Sequence, residues 1–175
     1  MKKLFIILIS LLPLFFITSC DSTFELITEK SNAIKMDRDK VILVTTARNG
    51  FFENKEYKHS GEKTTNSLSN KLRPYAASVE ITPANSFKAI KQDQLLQCDY
   101  IVQPELFHWE DRATNMNYMP DKVILGLTVY DNTGNVLNYL EIRGESTKAT
   151  ISNNDPIDLI NEALDIYIRQ LFNMY

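Results

Sequence analysis

His108-Trp109-Glu110-Asp111-Arg112 is the densest run of chemistry-bearing side chains in the chain. On a strand, side chains alternate, so His108 and Glu110 share one face and offer an imidazole and a carboxylate to an ion such as zinc. A closed site needs a third protein ligand. No spacing marks one, and the chain's other histidine, His59, falls in a distant charged loop. A small metal- or ligand-binding hydrolase built on His108, Glu110 and Asp111 is therefore the secondary reading. In the structural reading, Arg112 pairs with Glu110 or Asp111 and His108 bonds a backbone carbonyl. Trp109 then either packs or stands as an exposed anchor. The incomplete ligand set favours structure, and no metal or other cofactor is expected.

Ser60-Gly61-Glu62-Lys63 has the Ser-x-x-Lys spacing of penicillin-interacting enzymes, in which lysine activates a serine nucleophile. The Ser-Asp-Asn and Lys-Thr-Gly elements that complete that chemistry are missing from the sequence, so Ser60 is expected to cap a helix. The five glycines form neither a phosphate-cradling loop nor a Gly-x-Ser-x-Gly elbow. Asp111, Asp121 and Asp131 are spread over loops, and sequence alone does not pair them for acid–base work. The expectation is a protein that is not an enzyme. Met116 and Tyr118, in the loop that follows Trp109, are expected either to add a soft, adaptable contact patch or to fold under the sheet as a satellite core.

The amino terminus carries a different kind of chemistry. Lys2 and Lys3 precede an apolar run from Leu4 to Ile17. Fourteen helical residues span roughly 21 Å, short of the ~30 Å hydrocarbon core, so the segment reads as an export signal rather than a permanent span. It exits through Ile17-Thr18-Ser19-Cys20. This junction resembles the lipobox of bacterial lipoproteins, in which the cysteine becomes the lipidated first residue after cleavage. Residues 1–19 are then the signal peptide, and Cys20 carries acyl chains such as palmitate. One acyl chain holds a protein only marginally, whereas several anchor it firmly. The implied location is the cell envelope, facing the periplasm. Asp21 resembles the inner-membrane retention residue of enteric lipoproteins; other bacteria sort by other rules, and the sequence assigns no leaflet.

Cleavage removes two lysines, so the chain's net charge of −3 becomes −5. An acidic domain without a basic run repels phosphate backbones, which excludes nucleic acid as a partner. With Cys20 consumed by lipid, Cys98 has no partner within the chain and is expected in the core.

The elements that must position these residues follow from patterning. Residues 20–37 read as the lipidated cysteine and a tether, although Phe24 to Ile27 could dock on the domain. A single domain then spans 38–174. Val41 to Thr46 is a β-branched run fit for a buried strand. Thr65, Leu68, Leu72 and Ala76 recur at helical spacing between Glu62 and Ala76, and Pro74 disturbs the last turn. Val79 to Ile81 alternates as a short strand. Ser86 is expected to cap a second helix running to Leu96. Tyr100 to Glu110 is a long strand whose Pro104 points to an edge or a bulge. Val123 to Tyr130 and Val136 to Arg143 form a hairpin around Asp131–Asn135, and a short strand is expected near Lys148 to Ile151. Asp155-Pro156 opens a last helix whose stripe is Ile157, Ile160, Leu164, Tyr167, Ile168 and Leu171. The expected class is mixed α/β (α+β), a single mixed sheet with three helices in the order β-α-β-α-β-β-β-α.

His108-Trp109-Glu110-Asp111-Arg112, Pro120-Asp121, Tyr130-Asp131, Gly134 and Arg143-Gly144 together resemble the proteobacterial lipoproteins of the domain-of-unknown-function family 4823. That family commonly places a tryptophan where this chain has Met116. The resemblance implies envelope placement without a known activity. The element order is also similar to TolB amino-terminal domains and to lipoproteins that activate penicillin-binding proteins. The functional expectation is a lipid-anchored, non-catalytic module that binds another envelope protein, with His108, Trp109, Glu110, Asp111, Arg112, Met116 and Tyr118 as the interaction or structural cluster.

Overall fold

The computed structural model describes residues 23–30, 35–111, 119–146 and 155–173. In chain order these form strand β1 (Thr23–Lys30), strand β2 (Val41–Thr45), the short strands β3 (Gly50–Phe52) and β4 (Lys55–Tyr57), and helix α1 (Ser60–Leu72). Strand β5 (Ser78–Thr82) and the one-turn helix α2 (Gln92–Leu95) follow. The long strands β6 (Tyr100–Glu110), β7 (Lys122–Asp131) and β8 (Val136–Glu145) lead to helix α3 (Asn161–Leu171).

Six strands make one mixed sheet in the order β1-β8-β7-β6-β2-β5, and β3 pairs separately with β4. Strand β2 runs parallel to both β5 and β6, while the β6-β7, β7-β8 and β1-β8 pairs are antiparallel. This is the single mixed sheet with three helices that the patterning predicts. Among the described residues no helix is long and apolar enough to cross a membrane.

Alternation decides which face each residue serves. Val123, Leu125, Leu127 and Val129 of β7 and Leu140 and Ile142 of β8 are buried on one face. They join Leu68 and Leu72 of α1 and Ile160, Leu164 and Ile168 around α3 in one core. Full burial of each such side chain contributes about 1.5–3 kcal/mol relative to exposure. The helix α3 layer sits close because β8 carries Gly144: a Cβ there would stand 2.9 Å from Ile160 and Leu159 side-chain atoms. Every member of the expected stripe from Ile157 to Leu171 is buried. Asp155 caps the entry by accepting from the Ile157 N–H, after which a 3₁₀ turn over Pro156–Ile160 leads into the α-helix.

On the opposite face, Leu43 and Ile101 pack with Ile90 and Cys98 in a smaller cluster. Cys98 is buried, as expected of a core cysteine, and burial pushes its thiol pKa up. The segment covering this cluster is not the continuous helix predicted from Ser86 to Leu96. Residues Phe87–Ala89 form a 3₁₀ turn, Ile90 and Lys91 are extended, and α2 spans four residues. Ser86 makes no side-chain cap. The Phe87 N–H instead donates to Gln103 Oε1 at 2.8 Å, and that sheet contact outweighs helix continuity.

Three further readings sharpen. The segment 20–37 is not all tether, because Thr23–Lys30 is the outer strand of the sheet, with Thr23 opposite Glu145 and Leu26 opposite Ile142. Phe24 and Leu26 pack against the main core, as the docking alternative has it. Pro104 sits beyond Val102, the last β6 residue that pairs with β2, so it occupies a locally free edge of β6. The bulge lies farther along, between Leu106 and His108. Ser60 is the first helical residue of α1 rather than its cap; His59 precedes it in a left-handed conformation, φ 69°. The strand expected near Lys148 to Ile151 lies outside the described residues.

Candidate functional site

The bulge in β6 arranges the candidate cluster. Leu106 opposes Leu125 and His108 opposes Ile124, which leaves Phe107 as the extra residue. Its ring lies over Gly126 of β7: a Cβ on that glycine would come within 2.5 Å of Phe107 Cε2. Phe107 is held on the uncovered side of the sheet with 52% of its surface exposed. Sequence reasoning missed this residue. The usable signal was a glycine inside the apolar run of β7, which marks close approach of another group.

Beyond the bulge, alternation resumes. His108 and Glu110 share a face, as predicted, with His108 Nε2 2.7 Å from Glu110 Oε1. The Glu110 side chain is 4% exposed and that of His108 25%. The Phe52 ring meets the imidazole edge-on, centroids 5.2 Å apart. Trp109 points the other way and is 2% exposed in the main core, so of its two expected roles it packs. Gly50 lies against it, leaving no room for a β-carbon: one would sit 2.4 Å from Trp109 Cβ.

Asp111 does not join His108 and Glu110. It lies in a cleft of about 270 Å³ with Lys55, Tyr57, Lys63, Trp109 and Asp155. Desolvation and the neighbouring Asp121 and Asp155 carboxylates hold its pKa above the usual value. Lys63 pairs with Asp155, and that hydrogen bond raises the lysine pKa. Ser60 is buried; its hydroxyl donates to the Tyr57 carbonyl at 2.6 Å and accepts the Gly50 N–H at 2.8 Å. The Ser60–Lys63 pair is thus committed to structure, with neither group poised for nucleophilic attack.

A second, larger cleft of about 390 Å³ opens where β1 starts, lined by Glu25, His108, Lys122, Ile124, Arg143 and Glu145 among others. Its charges are largely matched in place: Arg143 Nε lies 2.6 Å from Glu141 and Lys122 Nζ 3.4 Å from Glu145. Among the described residues no group of three His, Cys, Asp or Glu side chains is placed to hold a metal. His108 and Glu110 supply two adjacent donors, which is a hydrogen-bonded pair rather than a coordination sphere. Arg112, Met116, Tyr118 and Cys20 lie outside the described residues.

The turn after β7 is closed by a dense set of hydrogen bonds to Asp131. Asp131 accepts from the Thr133 N–H, the Thr133 hydroxyl and the Asn135 N–H through Oδ1, and from the Asn135 amide through Oδ2. Burial alone would raise its pKa; these donors bring it down to about 2. Gly134, at φ 95°, completes the turn beneath the Phe87 ring.

A family model described as a domain of unknown function, DUF4823, matches residues 34–171. No curated protein matches the chain. Among solved structures, a PelC dodecamer from Paraburkholderia phytofirmans is similar with a TM-score of 0.61 and 14% identity, over 86% of this chain and 97% of that one. A point variant of the same dodecamer gives 0.60 and 13%, over 89% and 100%. The hypothetical protein CT253 from Chlamydia trachomatis gives 0.48 and 14%, over 74% and 93%. At these identities the likeness is one of fold. The fold neighbours named here are PelC and CT253 rather than the TolB domains expected from element order.

Proposed function

We propose, for a chain that belongs to the DUF4823 family, a lipid-anchored lipoprotein of the bacterial cell envelope. Its domain faces the periplasm and binds another envelope protein without catalysing a reaction. The observation that carries the reading is the amino-terminal sequence: Lys2-Lys3, the apolar run Leu4 to Ile17, and the Ser19-Cys20 junction. Three acyl chains on Cys20 hold a protein at a membrane, where a binding module acts on neighbours in the same envelope.

The uncovered part of the sheet face supports the binding half of the reading. Phe107 stands 52% exposed there, with Glu105 and Glu141 on the positions either side of Gly126. An aromatic group within a charged rim is the composition that protein interfaces favour. PelC is a dodecamer in the structures named above, so a second copy of this chain is one partner to look for.

Photo-crosslinking in living cells tests the proposal. A crosslinking residue at Phe107 is expected to give one discrete adduct, and one at Asn70, on the exposed side of α1, is expected to give none. An adduct of twice the mass identifies a second copy. No adduct from Phe107, or the same smear from both positions, overturns the binding role.

A further inference from the structure

Strand β1 limits how far the domain can stand from a lipid on Cys20. Thr23 is already paired with Glu145, so Asp21 and Ser22 are the residues between anchor and sheet. An extended chain advances at most about 3.6 Å per residue, and the three steps from Cys20 to Thr23 therefore cover no more than about 11 Å. The headgroup layer is itself roughly 5–8 Å deep. Thr23, Glu145, Lys122 and Glu110 lie abreast on β1, β8, β7 and β6 at one end of the sheet. From Lys122, β7 runs to Asp131 at the other end, about 30 Å away at 3.3–3.4 Å per residue.

We propose that the end of the sheet carrying Thr23, Lys122 and Glu145 rests against the headgroups of the anchoring membrane, with the Asp131–Asn135 turn pointing away from it. The proposal rests on the lipid anchor proposed above and adds the orientation. So short a leash keeps the near end at the bilayer. Met119, three residues before Lys122, is 48% exposed, and the Lys122 and Arg143 side chains are 41% and 53% exposed. Lys122 and Arg143 are paired with Glu145 and Glu141, so this end is nearly neutral where it meets the headgroups, and the short leash sets the orientation.

The full-length protein, purified from membranes and reconstituted into vesicles of phosphatidylethanolamine and phosphatidylglycerol, supplies the test. A fluorescent amino acid replaces either Met119 or Asn132, and a nitroxide on the lipid headgroup serves as quencher. Quenching at position 119 is expected to exceed that at position 132 several-fold. Inserting a flexible Gly/Ser segment between Ser22 and Thr23 is expected to erase the difference. Flotation with the vesicles but equal quenching at the two positions overturns the orientation and leaves the anchor standing, and a difference that survives the insertion overturns the short leash as its cause. Failure of the protein to float overturns the anchor, and the orientation with it.

Discussion

Two faces of one sheet, built from the same strands, do different work here. From β7, Val123, Leu125, Leu127 and Val129 enter a core closed by α1 and α3, whereas Lys122, Ile124, Gly126 and Thr128 face the other way. That second face is itself divided. Its β2 end is covered by the 86–98 segment through Phe87, Ile90 and Cys98, while its β1-β8-β7 part carries charges and the exposed Phe107 ring. Apolar burial is concentrated on the helix side, so substitutions on the uncovered part are expected to cost less stability.

Breaking the helix side should cost most. Leu164→Ala, at a fully buried site, is expected to destabilise by about 2–5 kcal/mol in urea unfolding. Ile124→Ala on the uncovered face is expected to cost less than about 1 kcal/mol; equal losses would dissolve the contrast. Gly50→Ala, forced onto Trp109 Cβ, is expected to cost about 1–3 kcal/mol through overpacking.

The Asp131 turn should give a smaller, pH-dependent effect. Its pKa is depressed to about 2, so its contribution is complete above the ordinary aspartate value near 4 and fades as pH falls through about 2. Asp131→Asn is expected to cost about 1 kcal/mol at neutral pH and to flatten the stability profile between roughly pH 4 and pH 2. An unchanged profile would show that the turn hydrogen bonds do not favour the carboxylate. The smallest expected change is in metal content: after incubation with zinc and removal of excess, the protein is expected to retain less than one equivalent. A full equivalent that His108→Ala abolishes would make the His108–Glu110 pair a metal site.

Much of the fold is legible where one physical signal dominates. The stripe from Ile157 to Leu171 and the turn residues between Val129 and Val136 read correctly because periodicity and turn chemistry agree there. Ser86 to Leu96 misleads because Phe87, Ile90 and Leu95 match a helical face, yet the sheet claims the Phe87 N–H through Gln103. Strand β1 is hard to read because Phe24 and Leu26 alternate in a short polar segment whose partner, β8, is more than a hundred residues away. At the candidate site, the shared face of His108 and Glu110 follows from alternation alone. The exposure of Phe107 does not, because a bulge is set by the register between two strands.

Lipid at position 20 underlies both the proposed function and the orientation, and intact-mass spectrometry of the protein taken from its native membranes measures it directly. The expected mass begins at Cys20 and carries a diacylglyceryl group and an amide-linked acyl chain, lost together on Cys20→Ala. A chain that retains residues 1–19, or that begins nearby with a free thiol at Cys20, would contradict it.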